Sequence, residues 1–179
     1  MFINIITACS RPNNLNKISE SINIPKENYR WIVVHDGLDN PNGITIPNNC
    51  EFYNHKDPKS SFGNSQKNFA IDLITDGYVY FNDDDTLIHP ELWKSIKDLT
   101  NDFISFKQND KKGRLRLRGD VKYQKIDSHN FILTRELIGD IRWELTKYEA
   151  DGLFAVECYK KSKSHLKLDK VLSIYNQLR

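Results

Sequence analysis

The first hundred residues alternate short apolar, β-branched runs with stretches whose apolar residues recur at helical spacing. That alternation confines the chain to an α/β fold built on a mostly parallel sheet. Residues 2–8 (FINIITA) predict a buried strand, bounded by Ser10-Arg11-Pro12. Leu15, Ile18 and Ile22 place one face of a helix over residues 13–22. Trp31 to His35 (WIVVH) predicts a second strand closed by Asp36-Gly37, and residues 38–49, with Gly, Asn and Pro, predict a loop. Glu51 to Asn54 suits a short third strand. Gly63-Asn64-Ser65 opens a helix with Phe69, Ala70, Leu73 and Ile74 on one face, and Asp76-Gly77 closes it. Tyr78 to Phe81 (YVYF) is a fourth strand, and Pro90 starts a helix running through Leu99.

The second half reads differently. Residues 102–107, 114–118, 120–125 and 129–134 predict strands joined by turns at Asn109-Asp110 and Lys112-Gly113. A helix from Gly152 to Lys161 and a last strand from Val171 to Tyr175 complete the chain. With 179 residues, no internal repeat and no low-complexity linker, the expectation is one domain over 1–179. No apolar run reaches the ~18 residues of a membrane span, and MFINIITACSRP does not read as a signal peptide. The expectation is therefore a cytoplasmic protein without a transmembrane segment. Cys9, Cys50 and Cys158 have no metal-type spacing and read as reduced thiols. A net charge of +2 gives no case for nucleic acid. It conceals a basic stretch, Lys107 to Lys125, with eight Lys/Arg and two Asp. Within it RLRLR (Arg114 to Arg118) reads most simply as a strand with one solvated basic face, and otherwise as a site for a diphosphate or an anionic acceptor.

Three carboxylates, Asp83-Asp84-Asp85, follow YVYF directly. Like charges so close repel, and a hard cation such as Mg²⁺ or Mn²⁺ relieves the repulsion. Such a cation would neutralise a diphosphate and stabilise it as a leaving group. In open α/β sheets ligands bind beyond the carboxyl ends of the strands, where Thr7 to Arg11 and Asp36 also fall. An EF-hand loop starting at Asp83 would need Gly at its sixth position, where Ile88 stands. A haloacid dehalogenase pattern would put Asn82 in place of the nucleophilic carboxylate.

WIVVHDG (31–37), SQKNFAIDL (65–73) and YVYFNDDDTLIHPELW (78–93) together resemble GT-A glycosyltransferases. The first and third segments are similar to the inverting β1,3-glucuronyltransferases. ITACSRPNNL (6–15) and VVHDG resemble the opening of family 2 glycosyltransferases. The resemblance covers about half of the chain and weakens after Trp93. It implies a single GT-A-like domain, with a nucleotide-sugar-binding half over 1–100 and a more antiparallel acceptor half over 101–179. It implies a metal-dependent sugar transfer from a nucleotide diphosphate sugar, a uridine one by preference, to a glycan or other hydroxyl acceptor. Thr7, Ala8, Cys9 and Arg11 would line the nucleotide, and Asp36 would contact base or ribose. Asn68 would shape the donor pocket. Asp83 and Asp84 would serve the ribose and the surroundings of the metal, with Asp85, alongside Asp83, holding Mn²⁺ or Mg²⁺. Where many members carry a C-terminal His, this chain has Asn176, and His165 lies upstream.

Trp143 followed by Glu149-Ala150-Asp151-Gly152 resembles the region of the catalytic base, with Trp143 available to stack on a sugar. Asp151 begins a D-G-x-F string and is placed ahead of Glu149; taken alone, both would suit the start of a helix. A dedicated base implies inversion. His129 is open to two readings, an acceptor contact or a polar strand residue. A sugar-nucleotide pyrophosphorylase would need a Gly-rich phosphate loop after the first strand, and ITACSRPNN has no glycine. A non-catalytic sugar- or nucleotide-binding module remains the alternative.

Overall fold

Apolar side chains alternate between two opposite faces along nearly every strand of the sheet, and that alternation produces a three-layer α/β/α arrangement. The computed structural model describes residues 1–57 and 61–179. Strands β1 (Ile3–Cys9), β2 (Tyr29–His35), β3 (Glu51–Asn54) and β4 (Tyr78–Phe81) are joined in parallel, in the order β3-β2-β1-β4. β7 (Phe131–Thr134) then pairs antiparallel with β4, and β5 (Phe103–Asp110) antiparallel with β7. The second half of β5 carries β6 (Leu115–Leu117), antiparallel, while β8 (His165–Tyr175) runs parallel to β5 along its whole length.

Ile5, Trp31, Val33, Tyr80, Ile104 and Ile132 face one core, with α1 (Leu15–Ser21) and α3 (Leu92–Ile96) packed on it. Their strand neighbours Ile6, Ile32, Val34, Phe81, Phe103 and Phe131 face the other. That second core is covered by α2 (Asn64–Asp72), α4 (Arg135–Ile138) and α5 (Ala150–Lys161). Strands β1 and β2 are buried on both faces, which is why they read as continuous apolar runs. Among the described residues no helix is long and apolar enough to cross a membrane.

Two expectations about the second half are corrected. Residues 120–125 form tight turns, with Lys122 N donating to Asp120 O at 2.8 Å and Lys125 N to Lys122 O at 2.9 Å. Gly119 (φ +74°) makes that path possible, since a Cβ there would stand 2.7 Å from Phe106 O. The last strand starts at His165, six residues before Val171, because its register is set by β5. The second half is the more antiparallel one, as expected: β7 pairs antiparallel with β4 and β5, and β6 with β5, while β8 alone pairs in parallel. The helix expected from Pro90 is reduced to Leu92–Ile96.

This topology brings the carboxyl ends of β1, β2, β3, β4, β5 and β8 to one edge. The amino ends of β6 and β7 meet them there.

Candidate active site

A cleft of about 700 Å³ opens at that edge. Its lining includes Ala8 to Arg11 after β1, Asp36 after β2, Asp83 to Asp85 after β4, and Asp127 before β7. Arg116 on β6, Asn176 and Arg179 after β8, and Glu149 and Asp151 at the start of α5 complete its polar wall.

The three aspartates of the run have three different surroundings. Asp84 is buried and organises the loop after β1: its Oδ2 accepts from Ser10 N (2.6 Å), Ser10 Oγ (3.0 Å) and Arg11 N (2.7 Å), and Oδ1 accepts from Arg11 Nη1. Asn14 Nδ2 donates to the Asp84 carbonyl at 2.9 Å. Charge-assisted bonds of this kind are strong, and they draw the ends of β1 and β4 together at the cleft. Asp85 is also buried, with Arg179 Nε 2.5 Å and Arg11 Nη1 3.4 Å from its Oδ2. Burial, then the neighbouring charges of Asp83 and Asp84, push its carboxyl above the usual range in spite of the two guanidinium groups.

Asp83 is directed to the cleft floor. Its Oδ1 is 3.7 Å from Lys67 Nζ and its Oδ2 is 3.4 Å from His129 Nε2. Burial would raise its carboxyl, but Lys67 and then His129 outweigh that and hold it well below the ordinary range. Lys67 projects from α2 and is 5% exposed. Its ammonium lies 3.6 Å from Asp151 Oδ1 and 4.3 Å from the centre of the Trp143 ring. Burial disfavours that charge, yet Asp83, Asp151 and Asp127 together raise its pKa, so Lys67 remains an ammonium. Asp151 is pushed up to about 6, chiefly by burial, with Lys67 pulling the other way.

Of the residues nominated from sequence, Ala8, Cys9, Arg11, Asp36, Asp83, Asp84, Asp85, Glu149 and Asp151 share this cleft. Asp36 sits at its edge, where Oδ1 accepts from Asp57 N at 3.0 Å and lies 3.9 Å from Lys56 Nζ. Burial pushes the Cys9 thiol up to about 12, which leaves it protonated and unreactive at neutral pH. Thr7 lies behind the wall instead, fully buried, accepting from Trp31 Nε1 at 3.0 Å. Asn68 also lies elsewhere: it bonds the Trp143 backbone, Trp143 N to Oδ1 at 2.7 Å and Nδ2 to Trp143 O at 3.0 Å. It therefore ties α2 to the segment leading into α5. Trp143 is not free to stack on a sugar, because it is 2% exposed and lies flat on Phe154 with ring centres 4.4 Å apart.

Several contributors went unnamed at the sequence level. Phe62 (66% exposed) and Tyr148 (71% exposed) meet edge to face at 5.4 Å on the cleft rim. Asp127 receives Arg116 Nη1 at 2.6 Å, and Arg116 also covers the Tyr175 ring at 3.7 Å. His129, left between two readings, is wholly buried beside Asp83 and Asp127. His165 is remote from the cleft residues, bonded to Ser105 Oγ at 3.0 Å. Lys67 gave no signal of its own, since it stands among the polar residues Ser65, Gln66 and Asn68 at the start of SQKNFAIDL. Asp127 gave none until the turn before β7 was placed.

A mostly parallel sheet with an acidic run at the carboxyl end of its fourth strand, and an acidic helix start facing that run, defines a GT-A-like α/β fold. Neither a protein-family profile nor a curated protein sequence matches the chain. Among solved structures, S. aureus TarS 1–349 superposes with a TM-score of 0.75 at 19% identity, over 97% of this chain and 60% of that one. TarS 1–349 in complex with UDP-GlcNAc gives 0.70 at 18% identity, over 97% and 58%. The mannosyltransferase PcManGT from Pyrobaculum calidifontis, in complex with GDP-Man and Mn²⁺, gives 0.69 at 14% identity, over 98% and 56%. The chain thus spans about 60% of the length of TarS 1–349.

Proposed function

We propose that this chain is a metal-dependent glycosyltransferase, moving a sugar from a nucleotide diphosphate sugar to a hydroxyl acceptor with inversion. The observation that carries the proposal is Lys67, whose buried ammonium bridges Asp83 on the donor side and Asp151 on the acceptor side, at 3.7 and 3.6 Å. Two carboxylates in one cleft with opposite pKa shifts are suited to separate roles. Asp83 stays ionised and contacts the donor. Asp151, at about 6, is ionised at neutral pH and still basic enough to take a proton from an acceptor hydroxyl. Lys67 holds the two at a fixed separation and shields one charge from the other.

Asp84 shapes the Ala8–Arg11 loop that receives the nucleotide, and Asp36 lies where a ribose or base would rest. The exposed Phe62 and Tyr148 rings provide an apolar platform for a pyranose acceptor, and Glu149, exposed beside them, offers its hydroxyls a hydrogen-bond acceptor. A divalent cation held at the carboxylate cluster around Asp83 would neutralise the leaving diphosphate. The donors named with the structural neighbours, UDP-GlcNAc and GDP-Man, support a nucleotide-sugar donor, and Mn²⁺ in the second supports the cation. The WIVVHDG resemblance favours a uridine donor.

Calorimetry with UDP- and GDP-hexoses, in Mn²⁺ and in chelator, tests this reading. One donor should bind, more tightly with metal, and should release nucleotide diphosphate slowly even without acceptor. Failure of every nucleotide sugar to bind rejects the proposal. Tight binding without any release of nucleotide diphosphate leaves a binding module.

A further inference from the structure

Three arginines reach the cleft from three separate segments: Arg11 after β1, Arg116 on β6 and Arg179 after β8. Each is anchored along one edge by a buried carboxylate. Arg11 Nη1 donates to Asp84 Oδ1 and, at 3.4 Å, to Asp85 Oδ2. Arg179 Nε lies 2.5 Å from that same Asp85 oxygen. Arg116 Nη1 donates to Gln108 Oε1 and, at 2.6 Å, to Asp127 Oδ2, and its guanidinium lies over the Tyr175 ring. Within RLRLR the structure thus separates Arg116, which reaches the cleft, from Arg114, which pairs with Asp110 at 2.7 Å.

The protein leaves the opposite edges unused. Nε and Nη2 of Arg11, Nη1 and Nη2 of Arg179, and Nε and Nη2 of Arg116 have no hydrogen-bond or ion-pair partner among the described residues. The three side chains are 40%, 50% and 31% exposed, in that order, while the carboxylates behind them are buried. A guanidinium is a planar fork of N–H donors that fits phosphate oxygens two at a time. Arg11 and Arg179 are neighbours, since both approach one oxygen, and the main chain fixes them there. Arg11 N donates to Asp84 Oδ2 at 2.7 Å, Leu178 N to the Asp85 carbonyl at 2.8 Å, and Lys111 Nζ to the Arg179 carbonyl at 3.2 Å. Asp84, Asp85 and Asp127 balance the three guanidinium charges one for one. The set therefore needs no ligand to fold and keeps its outer donors free.

We propose that Arg11, Arg179 and Arg116 grip the diphosphate of the donor directly, and that Asp85 anchors the first two and is not a ligand of the cation. The free edges offer more donors than the oxygens of one phosphate group can take, so the set fits two linked phosphates. It also suits departure. As the acceptor oxygen bonds to the sugar and passes its proton to Asp151, the sugar–phosphate oxygen bond breaks. Its electron pair stays on the diphosphate, which gains one negative charge. Donors already in place stabilise charge that develops in this way.

For its ligand the proposal rests on the transferase reading above, but anion binding is measurable on the protein alone. Calorimetry in chelator compares inorganic pyrophosphate with inorganic phosphate, and UDP and GDP with UMP and GMP. Pyrophosphate, and the diphosphate of the preferred base, should bind at least ~10-fold more tightly than their monophosphate counterparts with no metal present. Arg179→Gln should cost the diphosphates about 10–100-fold, the worth of one charge-assisted bond, and change the monophosphates within about threefold. Arg179→Lys keeps a charge on Asp85 and loses the fork, so it should fold as wild type does and lose most of the same preference. That variant carries the test if Arg179→Gln does not fold. Asp85→Asn should weaken the preferred nucleoside diphosphate by the same factor in Mn²⁺ and in chelator. No diphosphate binding in chelator, equal affinity for mono- and diphosphates, or Arg179 variants that bind diphosphates as wild type does overturns the proposal. So does an Asp85→Asn loss confined to Mn²⁺, which would make Asp85 a ligand of the cation. Nucleotide-sugar binding that survives such a result keeps the transferase reading. Arg179-dependent pyrophosphate binding in a chain that binds no nucleotide sugar keeps the arginine site and rejects that reading.

Discussion

Replacing Asp151 by Asn separates its chemistry from its packing, because the amide keeps the shape and removes the charge. A general base contributes about 10²–10⁴-fold to rate, so the variant should lose that much turnover, about 3–5 kcal/mol of barrier. Donor affinity should hardly change, because Asp83 and the Ala8–Arg11 loop are untouched. In the wild type the rate should rise with pH through about 6, as Asp151 ionises, and this limb should vanish in the variant.

The same substitution should leave the fold as stable or more so. The folded pKa of about 6 lies above the carboxyl's ordinary value of 3.8, so the fold disfavours the charged form. Below pH 4 the carboxyl is protonated in both states, and variant and wild type should match. Between pH 4 and 6 the unfolded chain ionises first, and the wild type loses stability relative to the variant. Above pH 6 the gap is constant. The shift corresponds to about 3 kcal/mol at most, and the side chain's 31% exposure screens it toward about 1–2. For a domain of this size that is a Tm increase of about 2–8 °C at pH 8. Rate assays across pH 5–9 and thermal melts at pH 4 and 8 provide the readouts. A variant that keeps near-wild-type turnover, or retains a rate limb near pH 6, refutes the assignment of the base.

Lys67→Met should cost ~3–5 kcal/mol in urea unfolding, since it strands Asp83 and Asp151 without their shared cation. It should also move the acid limb of the rate profile to higher pH, because Lys67 lowers the Asp151 pKa. Phe62→Ala and Tyr148→Ala, at exposed rim positions, should stay within about 0.5 kcal/mol of wild-type stability while raising acceptor KM. An unchanged KM in both would remove the rim platform from the mechanism. Asp36→Ala should weaken the donor by ~1.5–3 kcal/mol, more than tenfold in Kd, with the melting temperature unaffected; equal donor affinity would make it a turn residue only.

The first four strands and the acidic run were legible because their signals are local. An apolar run such as WIVVH reports burial on both faces, and YVYF followed by three aspartates places charge at a strand end whatever the rest of the chain does. The second half was harder to read. HLKLDK, at the start of β8, has too much charge to announce a strand, and only pairing with β5 makes it one. Residues 120–125 carry a strand-like composition, and the close passage of Gly119 over Phe106 bends them into turns.

Direction was the other quantity missing from the sequence. Thr7, Asn68 and Trp143 belong to the right segments but lie behind the wall, on the helix junction and in the core. Sequence alone placed Asp83, Asp84 and Asp85 at the end of an α/β strand and nominated Asp151 with them, and all four line one cleft. The tertiary structure gave each aspartate its own surroundings. It surrounded Asp84 with loop amides, put Arg179 on Asp85, and set Lys67, His129 and Asp127 around Asp83. These partners come from α2, the turn before β7 and the segment after β8, far apart along the chain. Their charges act over a few ångströms of poorly solvated space, and folding creates that proximity.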